Sequence, residues 1–508
     1  MKYTLLRYLL VPLSLCASCK GSPEGNGGGT PEVDPPVVEA KDVRVWTTTA
    51  DKSQLFKESF LPFKDKASMS PRRIEFTSDT YQTADGFGAA LTVSSCYNIL
   101  KMSPSDRTRL LKEIFDPAEG LGSSLARVCI GGSDFSWDYS DPSGGRFTWC
   151  DKEGIDNFAP HPLDVKYVVP VLKEIYAIHP DLKLIGSPWT CPRWMKVEEK
   201  SDKAHYSWIG GRLDPSCYQD YATCFVKWIQ YMEGQGFDIY AVTPQNEPLN
   251  AGNSMSLRMK WEDQRDFIKT ALGPALRKAG LDTRILVFDH NYNYDNQEDQ
   301  AGYPLNIYRD AEASRYIAGS AWHNYGGSVS ELERIAREAP GKDIYFTEAS
   351  IGTWNLGERL EKFGENLLND FRDIFLGTLS RNGKGVTLWN LMLDDKKGPY
   401  TDAGGSCTTC YGAVTIASSD YKTVDRSPQY YEIAHASKVI RPGAVRIGTK
   451  GFSASGVTYQ AWRNTDGSTG VVMLNESAAV QDFVFITGSH SVRGSVPAKS
   501  ITSLLWKD

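Results

Sequence analysis

Three things are missing from this sequence: an excess of positive charge, an apolar run long enough to cross a bilayer, and a metal-ligand pattern. Its 508 residues carry 56 Lys and Arg against 62 Asp and Glu, a formal charge of −6. That balance gives no electrostatic footprint for nucleic acid or for an anionic membrane surface. The apolar stretch near the N-terminus, Tyr8–Leu15, is too short for a transmembrane helix. Cys407-Thr-Thr-Cys410 is the one close cysteine pair in the folded part. Without a second pair or a nearby His it argues for neither zinc nor redox chemistry, and reads as a loop disulfide or two free thiols. The Gly-rich Gly86–Ala90 lacks the Lys-Ser/Thr of a phosphate loop. No cofactor, nucleotide or metal is called for.

What is present is a large core and many aromatics: 41% apolar residues, with 13 Trp and 25 Tyr. Most of these rings pack a core, but faces of Trp and Tyr also make platforms for sugar rings. The N-terminus reads as an export signal, with Lys2 and Arg7, the apolar run, then Cys16-Ala17-Ser18-Cys19. The small residues before Cys19 resemble a bacterial lipoprotein processing site, although Cys16 stands where such sites usually carry Leu. Residues 1–19 are therefore expected to be a lipoprotein signal with Cys19 as the lipidated residue, and 20–41 a flexible tether rich in Gly, Pro and Ser. The lipid would be the only membrane contact, and the outer cell surface the expected location.

From Gly86 onward strand-like and helix-like runs alternate. The expected strands are Gly86–Leu91, Leu125–Ile130, Lys183–Ser187, Ile239–Thr243, Arg284–Phe288, Ile317–Trp322, Asp343–Phe346 and Gly385–Leu391. Between them lie helical patterns such as Pro104–Phe115, capped by Ser103, and Val165–Ile178, which Pro170 interrupts. Eight such units are the cadence of a parallel (β/α)8 TIM barrel, with its site on the loops after the strands. The ends instead show alternating β patterns. The predicted architecture is thus α/β, with residues 83–432 as the barrel and a side β-sandwich built from both termini, residues 42–82 and 433–508.

Two carboxylates fall at strand ends on the same rim: Glu247 in Ala241–Pro248 after the fourth strand, and Glu348 at the end of the seventh. A sugar-cleaving barrel needs such a pair, one to protonate the leaving oxygen and one to attack the anomeric carbon. Further motifs occur in order: Gly86–Thr92, Arg127 with Ser133–Ser136, Ser187–Thr190, Thr243–Pro248, His323-Asn324-Tyr325, Thr347–Ser350, Leu388–Asn390 and Ser437–Gly443. Together they resemble family 30 of the glycoside hydrolases, the glucosylceramidase-like retaining β-glycosidases, over almost all of the folded chain.

The resemblance implies Glu247 as general acid/base and Glu348 as nucleophile. Asn246 would bond the sugar 2-hydroxyl, and Asp134, Trp189, Tyr325 and Trp389 would hold the sugar. Arg127 is the expected cation that keeps Glu348 ionised, and Glu247 is expected to titrate high beside that anion. Relatives often carry Trp where this chain has Asn324, which removes an apolar wall; the role of His323 stays open. The expected activity is retaining hydrolysis of a β-glucan or β-glucoside by a monomer, with β-1,6-glucan and endo action leading. An exo-acting β-glucosidase or glucosylceramidase and a β-xylosidase are the alternatives. A non-catalytic glycan-binding lipoprotein would need a missing carboxylate, and both are present.

Overall fold

Apolar residues at strand spacing, each run ending in a turn or polar segment, place eight parallel strands in one sheet. The computed structural model describes residues 43–66, 70–401 and 404–507. In chain order the strands are Gly86–Ala89, Leu125–Cys129, Lys183–Ser187, Asp238–Val242, Arg284–Asn291, Ile317–His323, Asp343–Glu348 and Gly383–Leu388. Each pairs with its sequence neighbour and the eighth with the first. A parallel bridge between Ala90 and Arg127 joins the first and second strands. All expected strands are found, within three residues at either end.

The barrel interior is layered. Leu125, Ile185, Ala241, Leu286, Ala321 and Tyr345 form one apolar cluster drawn from six strands. At the end where the strands begin, Asp85 takes hydrogen bonds from Lys183 (2.6 Å), Tyr240 (2.9 Å) and Tyr345 (2.6 Å) and closes the floor. Gly88 is required by closeness: a Cβ there would lie 2.0 Å from the carbonyl oxygen of Leu125. The Gly-rich run therefore serves strand packing.

The helix over 165–178 continues through Pro170. A wide π turn, Asp164–Val168, precedes the α-helix Val169–Ile178, so proline enters at the start of the α-helical register. There its missing N–H and its ring cost little. The same device, Ile268–Leu272, precedes Pro274. Ser103 caps its helix by accepting from the Asp106 N–H, as expected. Between the fifth and sixth strands lie two short helices, Tyr303–Tyr308 and Ala311–Ser314, and the helix leading to the eighth strand begins at Phe363.

Both termini build the second element. Ten strands from 43–83 and 445–506 form one continuous sheet. It curls until Phe76 and Phe485 meet Trp506, with ring centroids 6.1 and 6.0 Å apart. Val43, Ile74, Val471, Phe483 and Leu504 fill the space between the layers. One boundary needs correction: the division expected at 432/433 cuts the helix Pro428–Val439. All twelve of its residues are buried, polar ones included, so no amphipathic stripe marked it. Its His435 bridges Ser503 (2.8 Å) and Thr48 (2.9 Å), joining the helix to both terminal segments of the sheet. Burial pushes that imidazole down to about 3, so it serves as a neutral strut. No helix among the described residues is long and apolar enough to cross a membrane.

Candidate active site

At the end where the strands finish lies a cavity of about 340 Å³. Asp134, Glu247, Tyr325, Glu348 and Trp389 line it, together with Asn250, Asn253, Trp354 and the Cys407–Cys410 segment. Those two cysteines form a disulfide. Side-chain atoms of Glu247, His323 and Glu348 lie within 4.8 Å of one another. The carboxyl separation is thus that of a retaining glycosidase, roughly 5 Å, rather than the wider gap that admits a water. The same three groups could close on a divalent cation. Each already has a protein partner, however, and Arg127 supplies a fixed positive charge at Glu348.

Three of the expected residues do not line the cavity. Arg127, wholly buried in the second strand, donates to Glu348, to Asp289 (2.7 Å), to Asn246 Oδ1 (2.7 Å) and to Ser187 (3.2 Å). The Asn246 amide is oriented by that bond, which leaves its nitrogen as the end able to donate. Trp189 packs behind: its ring lies 5.0 Å from that of Trp389, and the Arg127 guanidinium sits 4.9 Å from it. Trp189 therefore backs the cavity wall that Trp389 lines.

Asp289 was not found by sequence reasoning. It accepts from Arg127, from Thr243 (2.7 Å), Thr347 (2.6 Å) and Ser187 (3.1 Å), and meets His323 Nε2 at 3.1 Å. Its pairing to the sixth strand shifts register there, with positive φ at Phe288 (77°) and Asp289 (70°). A bulge of this kind re-aims a side chain. Glu247 is also left-handed, at φ 45°. Its N–H bonds the Asp289 carbonyl (3.0 Å), and its own carbonyl accepts from Asn250 N–H (2.9 Å). Such a backbone persists only where neighbours hold it.

The electrostatics overturn one expectation. Burial acts to raise Glu247, but the hydrogen bond to His323 and the nearby His290 outweigh it and hold the carboxyl at about 2. His323 in turn is raised to about 9 despite burial, because Glu348, Asp289 and Glu247 surround it. The proton of this pair thus sits on the imidazole, with His323 Nδ1 3.3 Å from Glu247 Oε1. Glu348 is raised by burial and by Glu247, against the pull of His323 and Arg127. Tyr325 stays a phenol and donates to Glu348 at 3.0 Å. Asp134 is pushed well above the usual carboxylate range by burial and by both glutamates. One of its buried oxygens has no partner in the protein.

A barrel with paired carboxyl oxygens within 4.8 Å of each other, an arginine on one and an imidazole on the other, defines a retaining glycoside hydrolase. Sequence comparison agrees. The profile of the Glycosyl hydrolase family 30 TIM-barrel domain matches residues 84–440, and that of the Glycosyl hydrolase family 30 beta sandwich domain matches 443–504. The chain belongs to glycoside hydrolase family 30. It is 30% identical to an endo-1,6-beta-D-glucanase of Neurospora crassa over 80% of this chain and 81% of that one. It is 27% identical to the lysosomal acid glucosylceramidase of Mus musculus over 84% and 82%. Among solved structures, the endo-beta1,6-glucanase BT3312 superposes with TM-score 0.88 at 49% identity, covering 92% of this chain and 99% of that one.

Proposed function

We propose that this enzyme is an endo-acting β-1,6-glucanase, with Glu348 as nucleophile and Glu247 as general acid/base. The observation that carries the substrate is the 49% identity to a solved endo-beta1,6-glucanase across nearly the whole folded chain. The cavity agrees with it: about 340 Å³ is at the small end for a ligand site and holds a short stretch of chain. A 1,6 linkage adds a rotatable bond and lets the polymer turn sharply, so an open-mouthed pocket can cut internally without a long groove. Incubation with linear β-1,6-glucan is expected to release short gluco-oligosaccharides from the first minutes. Glucose alone at early times would mean exo action. An intact glucan beside turnover of glucosylceramide or a β-xyloside would move the substrate elsewhere.

In the proposed cycle Glu348, held by Arg127 and Tyr325, attacks the anomeric carbon and forms a glycosyl ester. The leaving oxygen takes a proton from Glu247, which His323 supplies through Nδ1. Water then attacks the ester with Glu247 as base, and the pair regains its proton. Asn246 bonds the 2-hydroxyl, Asp134 the vicinal hydroxyls, and Trp389, backed by Trp189, covers the ring. This predicts that kcat/KM falls above about pH 9, where His323 loses its proton. With His323→Gln, Glu247 must hold the proton alone, and the alkaline limb moves to lower pH by more than about one unit. An unmoved limb contradicts the relay.

The lipid anchor is part of the same reading, although residues 1–42 lie outside the described residues. It is supported by the small residues before Cys19 and the Gly/Pro/Ser tract after it. An anchored monomer on the outer surface of a bacterium suits a polymer substrate. Cys19→Ala is expected to move the enzyme to the soluble fraction of its host; equal membrane retention would refute the anchor.

A further inference from the structure

Of the 13 tryptophans, Trp354 alone is more than a third exposed, at 56%, and it borders the catalytic cavity. Its carrier is a braced rim. Ile351–Gly352 pairs antiparallel with Cys410–Tyr411, and the Thr353 N–H donates to the Thr409 carbonyl at 3.1 Å. The Cys407–Cys410 disulfide closes that partner segment, and the Tyr411 hydroxyl reaches the carbonyls of Gly357 and Glu358, both at 2.9 Å. Beneath the rim, Ile351, Leu356 and Tyr411 form their own apolar cluster.

The six-membered edge of the indole lies on Gly352. A Cβ at that glycine would come 1.9 Å from Trp354 Cζ3 and 2.3 Å from Cε3. Gly352 is extended, at φ −157°, so the need for glycine here comes from the indole and not from backbone strain. One edge of the ring therefore rests on the backbone while the rest faces solvent at the mouth. An aromatic face left bare beside the mouth is a ready surface for the C–H face of a pyranose.

We propose that Trp354 is the stacking platform of a second glucosyl subsite, next to the ring whose bond lies between Glu247 and Glu348. This rests on the reading of the enzyme as a glucan hydrolase. The decisive comparison pairs β-1,6-glucan with β-glucosyl fluoride, which has one sugar and a leaving group too small to reach the rim. Trp354→Ala is expected to lower kcat/KM on the glucan about tenfold more than on the fluoride, and Trp354→Tyr to recover most of that difference. Gly352→Ala, which displaces the ring, should repeat part of the loss on glucan. Equal losses on both substrates would mean that the rim only supports Glu348, and would overturn the platform. So would an unchanged glucan rate in Trp354→Ala while the wild type is active. A wild type that leaves β-1,6-glucan intact would overturn the substrate reading and the platform together.

Discussion

Glu348→Ala is expected to remain folded and to lose turnover by about 10⁴-fold or more. Arg127 keeps Asp289 as its counter-ion, Glu348 lies at the end of the seventh strand, and its removal opens space beside the anomeric carbon. Added azide should enter that space and restore partial turnover of an activated aryl β-glucoside, giving the α-glucosyl azide. Glu247→Ala should behave differently. With a good leaving group the first step needs no acid, so the glycosyl ester forms and azide gives the β-glucosyl azide. Product stereochemistry by NMR reads out both variants, and an exchange of the two outcomes would reverse the assigned roles.

Asp289→Ala should carry the largest combined cost in stability and rate. It removes the anion that faces both Arg127 and His323, inside a cluster with no exposed side chain. Breaking a buried ion pair by removing one partner typically costs about 3–5 kcal/mol. Asp289 is fully buried and does not line the cavity; it positions Arg127 against Glu348 and His323 against Glu247. Misplacement at that scale is expected to lower kcat on the order of 10²-fold with little change in KM. Asp289→Asn keeps most of the hydrogen bonds but loses the charge that raises His323, so its alkaline pH limb should fall to lower pH. Denaturant unfolding beside a kcat and KM pair checks both parts. Wild-type stability and rate in Asp289→Ala would remove the cluster from the mechanism.

The barrel was legible because each strand is a short apolar run and each helix shows a stripe. Glu247 and Glu348 were legible because both follow such runs on one rim. Asp289 was not: in a strand reading, Val287-Phe288-Asp289-His290 is only the end of a run. Its importance comes from a bulge that no local propensity announces. The helix Val93–Lys101, capped by Thr92, escaped notice because seven of its nine residues are buried and include two serines and an asparagine. The titration of Glu247 was expected in the wrong direction for a related reason. The sequence pairs it with Glu348, whereas the folded barrel also sets His323 beside it and holds the proton there. Trp354 had no signal, since exposure is a property of the assembled rim.

Double displacement at a β-1,6 bond by Glu348 with Glu247 leaves a signature in the ¹H NMR spectrum of freshly cleaved linear β-1,6-glucan, followed from the first turnovers before the new reducing ends mutarotate. Two inversions predict that the β-anomer appears first and the α-anomer grows in later. An α-anomer present at the start would contradict the mechanism.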